Sequence, residues 1–192
     1  MNNRMRVVVA LACAAALTLP AEAVTGAHAV AKLLGANGNQ IGRADLIQTP
    51  HGVLIEITAH GLPPGAHAVL VHTTASCDPK TLFTSAGPVL SLEPTKPHGY
   101  FAKGGSRAGD LPNQFAAADG TLHASMITTA FSLGNGKKSL FDRDGASLIL
   151  HAGADDYASQ PDGNSGRRIA CGTIIRTVAP GTRKGASRRT HR

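Results

Sequence analysis

The sequence predicts an all-β domain, a sandwich or barrel, on three observations. Turn residues punctuate the chain, short β-branched and apolar runs lie between them, and no stretch carries a helical period. The turns in chain order are Ala36-Asn-Gly, Gly61-Leu-Pro-Pro-Gly65, Ala118-Asp-Gly120, Gly134-Asn-Gly136 and Asp142-Arg-Asp-Gly145. The runs between them are Val53–Thr58, Ala68–His72, Leu122–Thr128, Ala146–His151 and Thr173–Arg176. The absence of tryptophan argues against an immunoglobulin-type core, which usually places one on a central strand. Two longer segments, about 75–115 and 152–170, lack strand patterning and are polar; loops of that length in a compact domain are usually functional or constrained.

The chain opens with Arg4 and Arg6, an apolar stretch Val7–Leu19, Pro20 and then Ala21-Glu22-Ala23. This is a signal-peptide pattern, with residues 1–23 removed and a second small-residue site at Ala27-His28-Ala29. A membrane anchor is the alternative, but the apolar stretch falls well short of the ~20 residues needed to span a bilayer. The expected destination is periplasmic or secreted. Cys13 leaves with the peptide, and Cys77 and Cys171 remain. Two cysteines in an oxidising compartment are expected to pair, the alternative being two buried free thiols.

The formal charge of +7 is unevenly spread. From Arg176 onward the chain carries Arg176, Arg183, Lys184, Arg188, Arg189 and Arg192 with no acid, and residues 24–175 are neutral. A neutral body gives no ground for a nucleic-acid partner. Residues 177–192 read as a disordered basic tail that is simply solvated or that adheres to anionic cell-surface polymers. The single domain is expected over residues 24–176.

Three separated motifs carry a family resemblance. They are Pro63-Pro-Gly-Ala-His-Ala-Val-Leu-Val-His72, Ala108-Gly-Asp-Leu-Pro-Asn113, and His151-Ala-Gly-Ala-Asp-Asp-Tyr157 followed by Gly163-Asn-Ser-Gly-Arg-Arg-Ile-Ala-Cys-Gly172. In this order they resemble the bacterial copper/zinc superoxide dismutases, from about Ala31 to Arg176. The resemblance implies an eight-stranded Greek-key β-barrel with two long loops and one intrachain disulfide, Cys77–Cys171. It also implies copper on four histidines and zinc on three histidines and one aspartate, with one histidine bridging both.

Carried over position by position, the ligand pattern is incomplete. His72 and His151 match copper ligands, whereas Leu70 stands where another copper histidine is expected and Val89 where the bridging histidine is expected. His98 and Asp110 match zinc ligands, and Arg107 stands at a zinc-histidine position. Neither aliphatic side chain has a lone pair, and a guanidinium would repel the ion, so Arg107 is expected to neutralise Asp110 by a charge-assisted pair. His67 stands where the family commonly has a non-ligand histidine. Arg168 matches the arginine that draws superoxide towards copper; the alternative role is ordering the loop by hydrogen bonds to backbone. Asp155 and Asp156, with Gly163–Gly166, are read as loop architecture. His28, His51, His60, His123 and His191 show no ligand spacing and are expected on surfaces or turns.

The functional expectation is therefore an exported superoxide dismutase-like protein, not membrane-spanning, non-catalytic or weakly active. His72 and His151 hold copper weakly or are relic side chains bonded to backbone, and zinc is not expected. The competing expectation is a copper-dependent dismutase, acting on superoxide, with a rearranged or zinc-free site.

Overall fold

The structure, a computed structural model, describes residues 26–142 and 144–177. The predicted signal peptide, Cys13, His191 and the tail beyond Thr177 lie outside the described residues. The strands are β1 (His28–Gly35), β2 (Gln40–Thr49), β3 (Gly52–Ala59), β4 (Gly65–His67), β5 (Val69–His72), β6 (Gln114–Ala116), β7 (Leu122–Thr128), β8 (Ser147–His151) and β9 (Arg168–Thr177). Seven form one antiparallel sheet in the order β5-β8-β9-β1-β2-β3-β7, and β4 pairs with β6 in a short ribbon. The run Gly65–His72 changes partner at Ala68, whose N–H bonds to Gly153 and whose carbonyl accepts from His151. Counting that run as one strand restores the expected eight among the described residues. The only helical elements described are two three-residue 3-10 turns, Pro79–Thr81 and Thr84–Ala86.

Alternation places the core. β1 buries Ala29, Ala31 and Leu33, β2 buries Ala44 and Leu46, and β3 buries Val53, Ile55 and Ile57, each on every second residue. The β1–β2 hairpin turns at Ala36-Asn37-Gly38, where Gly38 takes a φ of 80° that a side chain would strain. β8 differs: all five residues are buried, because the core covers one face and the long loops cover the other. A second small cluster, Phe83, Ala86, Ile149 and Cys171, lies beneath the 73–113 loop.

Cys77 and Cys171 form a disulfide with 5.5 Å between Cα atoms and 94 residues of separation. In the chain-entropy account a closure of that length contributes on the order of 4–5 kcal/mol. It ties the start of the 73–113 loop to β9, directly after the 152–167 loop. Arg176, grouped with the tail by charge, belongs to the barrel instead. Its guanidinium lies 4.3 Å from the Phe141 ring centroid and donates to the Gly134 carbonyl and Asn135.

Candidate metal centre

His72 ends β5 and His151 ends β8, strands that pair antiparallel. Both side chains are completely buried, and their rings lie 5.9 Å apart between centroids with 22° between planes. Nδ1 of His72 lies 2.9 Å from the Gly87 carbonyl. Nδ1 of His151 lies 3.0 Å from the Gly166 carbonyl and 2.9 Å from Ser165 Oγ. A carbonyl only accepts, so each Nδ1 carries the hydrogen and each Nε2 keeps its lone pair. Both Nε2 atoms are buried without a hydrogen-bond partner. Burial, with the Arg168 charge next, pushes His72 down to about 3, against the opposing pull of the Gly87 carbonyl. Burial likewise pushes His151 down. Two neutral imidazoles with oriented, unspent lone pairs are the donor chemistry copper takes.

The other positions on that side hold no donor. Leu70 and Val89 are buried and pack with Ala68 in an aliphatic cluster. Backbone pairing fixes them there, Leu70 against Asp110 and Val89 against His72. His67 is no substitute, since its Nδ1 and Nε2 each lie 2.7 Å from a backbone carbonyl, of His151 and Pro63.

At the zinc positions, His98 and Asp110 meet directly, with Nδ1 2.7 Å from Oδ1. The opposite ring nitrogen, Nε2, lies 3.0 Å from Oδ1 of Asp155. All three side chains are fully enclosed. Burial lowers the His98 pKa, but the hydrogen bonds and charges of Asp110 and Asp155 outweigh it and the net shift is upward. Oδ2 of Asp110 accepts from the backbone N–H groups of Gly99 and Arg107, at 2.8 and 2.9 Å.

The expected guanidinium pair between Arg107 and Asp110 is not formed. Only the Arg107 backbone reaches Asp110; its side chain turns outward and donates to the carbonyls of Lys96 and Pro161. The three-residue spacing suits a tight backbone turn around the carboxylate, and the imidazole already fills the face a guanidinium would need. Asp155, expected as loop architecture, serves as that by gripping the His98 ring and Asn113 of the other loop, and this brings it to the zinc positions as well. Its signal in the sequence was an aspartate in the motif following His151, a place its sequence distance from His98 hid. Of the unassigned histidines, His51, His60 and His123 are exposed, whereas His28 is half-buried in β1 with its Nε2 enclosed and unpartnered.

Arg168 opens β9 and donates to the Phe83 carbonyl at 2.7 Å and to the Gly87 carbonyl at 2.8 Å. Gly87 is the acceptor that also orients His72, so Arg168 orders the loop and touches the copper side through one shared carbonyl. A cleft of about 320 Å³ opens between the loops, lined among others by His72, Val89, Arg107, Asp162 and Arg168. Among the described residues no group of three or more His, Cys, Asp or Glu side chains is placed to hold a metal ion. None of the described helices is long and apolar enough to cross a membrane.

Comparison with known proteins agrees with this architecture. A family profile described as copper/zinc superoxide dismutase (SODC) matches residues 40–174. Superoxide dismutase [Cu-Zn] 2 of Aquifex aeolicus is 40% identical over 146 residues, covering 75% of this chain and 84% of that protein. The superoxide dismutase-like protein YojM of Bacillus subtilis is 35% identical, covering 75% of this chain and 74% of that one. A crystal structure of a double mutant, with two introduced histidines, of a SOD-like protein from Bacillus subtilis superposes with a TM-score of 0.72 at 36% identity. It covers 76% of this chain and 96% of that one.

Proposed function

We propose that this chain, which belongs to the copper/zinc superoxide dismutase family, works outside the cytoplasm as a dismutase-like protein that binds copper weakly and turns superoxide over slowly or not at all. One observation carries the reading: two buried, neutral imidazoles whose rings lie 5.9 Å apart each keep an unpartnered Nε2, while the two adjoining ligand positions are aliphatic. Burying a lone pair without a partner costs free energy, which a ligand that takes it up would return.

His72 and His151 are the residues that would hold the ion. Copper, when bound, supplies one-electron exchange with superoxide. The backbone carbonyls of Gly87 and Gly166 hold the two rings in the tautomer that faces inward, and Ser165 Oγ assists at His151. Leu70 and Val89 add no donor, being packed with Ala68 in a buried aliphatic cluster. Arg168, on the wall of the cleft, places a positive charge where an anion would approach. That charge and the ready-oriented rings favour the second reading, a copper-dependent dismutase with a rearranged or zinc-free site. The missing donors weigh against it, because rapid cycling between oxidation states needs a coordination shell that suits both.

Export is part of the proposal: residues 1–23 as a cleaved signal, residues 24–176 as the domain, and residues 177–192 as a basic tail able to contact anionic cell-surface polymers. The Cys77–Cys171 disulfide supports an oxidising destination, periplasmic or secreted. The test is to purify the exported, oxidised protein, load it with copper and zinc, measure both metals, and assay superoxide dismutation in parallel. Substoichiometric or readily chelated copper with little turnover is expected. Firm binding of both metals with fast turnover would refute the proposal.

A further inference from the structure

We infer that a recessed apolar pocket at the end of the barrel, walled by Leu82 and rimmed by Arg167, is a binding site for a free apolar monocarboxylate, a hydrocarbon or aryl body carrying one carboxylate. Neither His72 nor His151 lines it, and the inference stands whether or not they hold copper.

The pocket forms where four segments meet. Ile41 of β2, Leu62 and Pro63 of the turn before β4, and Ile169 of β9 make its apolar floor and sides, and Leu82 of the 73–113 loop closes it. Its volume is about 410 Å³, within the range of roughly 300–1,000 Å³ that suits a small molecule. Leu62 is buried, and Ile41 and Ile169 are half-buried. The lining is therefore concave and not a flat apolar patch, which fits a small guest better than a protein surface.

Leu82 is placed there by an unusual backbone. The 3-10 turn Pro79–Thr81 runs into Leu82 at a φ of 51° and Phe83 at a φ of 63°, held by bonds from their N–H groups to the Pro79 and Asp78 carbonyls. Large side chains seldom take this left-handed conformation, and here two do so in succession. The effect is to send the pair in opposite directions. Phe83 is fully buried beneath the loop with Ala86, Ile149 and Cys171, whereas Leu82 is left 66% exposed over the pocket. An aliphatic side chain set beside a concave apolar surface gains when an apolar guest covers both.

Charge selects the guest. Two guanidinium groups line the pocket and no acidic side chain does. Arg168 is committed to the Phe83 and Gly87 carbonyls. Arg167 uses its backbone carbonyl to accept from Ala152, but among the described residues its exposed guanidinium has no hydrogen bond or ion pair. Its planar fork is suited to grip a carboxylate through two parallel bonds. An alkylammonium would meet two like charges, a small inorganic anion would leave the apolar walls uncovered, and a neutral hydrocarbon would leave Arg167 unused. An apolar body with one carboxylate satisfies both halves of the site.

The test titrates the oxidised, metal-free protein with octanoate, and in parallel with octanol, following amide proton–nitrogen correlation spectra. Saturable shifts confined to the neighbourhood of Ile41, Leu62, Leu82, Arg167 and Ile169 are expected. At low salt octanoate is expected to bind at least ~3-fold more tightly than octanol, a preference that added salt erodes. Arg167→Ala is expected to abolish the preference and leave octanol binding unchanged. Leu82→Gly suits the φ of 51° and so tests the wall without straining the fold; it is expected to keep the fold and weaken both ligands at least ~5-fold. Shifts that do not saturate, or that spread to Phe115, Ile127 and Ile175, exposed apolar residues elsewhere, would overturn the inference. So would equal affinity for the acid and the alcohol, octanoate binding undiminished in Arg167→Ala, or a response to anionic phosphatidylglycerol vesicles and none to the free acid.

Discussion

His72, His151 and His98 are equally buried, yet the affinity of the first two for a second proton is lowered and that of the third is raised. Burial alone pushes every imidazole towards its neutral form. At His72 and His151 the partners are carbonyls on one nitrogen only, so burial wins and a lone pair is left over. At His98 the partners are carboxylates on both nitrogens, and their combined pull exceeds the burial penalty. The lesson is that one side of this centre keeps ligand capacity in reserve, while the other has consumed its own in holding the fold together.

The sharpest way to break the comparison is to truncate one histidine on each side and measure unfolding of the metal-free protein in urea. His98→Ala leaves two buried carboxylates facing each other without a cation, and a loss of about 3–5 kcal/mol is expected. His151→Ala removes a ring whose Nε2 bonds to nothing, and a smaller loss, within about 2 kcal/mol, is expected. Equal losses would erase the distinction.

Acidity tests the same contrast by sign. The folded pKa of His72 lies at about 3, below its unfolded value near 6.5. The unfolded chain therefore binds a proton first, and stability falls as pH drops from about 6.5 towards 3, by a few kcal/mol. His98 is raised, so its contribution is complete below about 6.5 and is lost as pH climbs through its folded value. These groups together place the optimum near neutrality. The variant His72→Phe is expected to flatten the acid limb and leave the alkaline limb unchanged, as followed by urea midpoints across pH.

Restoring donors sharpens the copper side. Leu70→His with Val89→His is expected to tighten copper at least ~10-fold, about 1.4 kcal/mol, in competition with a chelator. No gain would mean that the geometry, and not only the ligands, has drifted. The smallest effect is expected at Arg168→Ala, which removes one of two donors from the Gly87 carbonyl. A stability loss of about 1 kcal/mol follows from the loss of its two half-exposed bonds, to the Phe83 and Gly87 carbonyls, beside a ligand that stays oriented.

Much of the barrel was legible because its signals are local. The apolar runs Val53–Thr58 and Leu122–Thr128 fall within β3 and β7, and the turn at Ala36–Gly38 closes the β1–β2 hairpin. The partner switch at Ala68 was not legible, since nothing in Gly65–His72 marks where one neighbour gives way to another. At the centre, the identities of Leu70, Val89 and Arg107 announced missing donors, but they did not announce what would fill the gap. Arg107 was expected to reach Asp110 with its side chain and does so only with its backbone. The contact of Asp155 with His98 is not legible in the sequence, because 57 residues separate the two.

By itself, then, the sequence determined the all-β architecture, the two cysteines available to pair, and which side chains lack a lone pair to offer, for these follow from composition and short-range pattern. Only the tertiary structure decided which histidines are pushed towards the neutral form and which towards the charged one. That depends on the acceptors standing within about 3 Å of each ring nitrogen, and those acceptors are brought in by loops whose meeting is dictated by packing across the barrel.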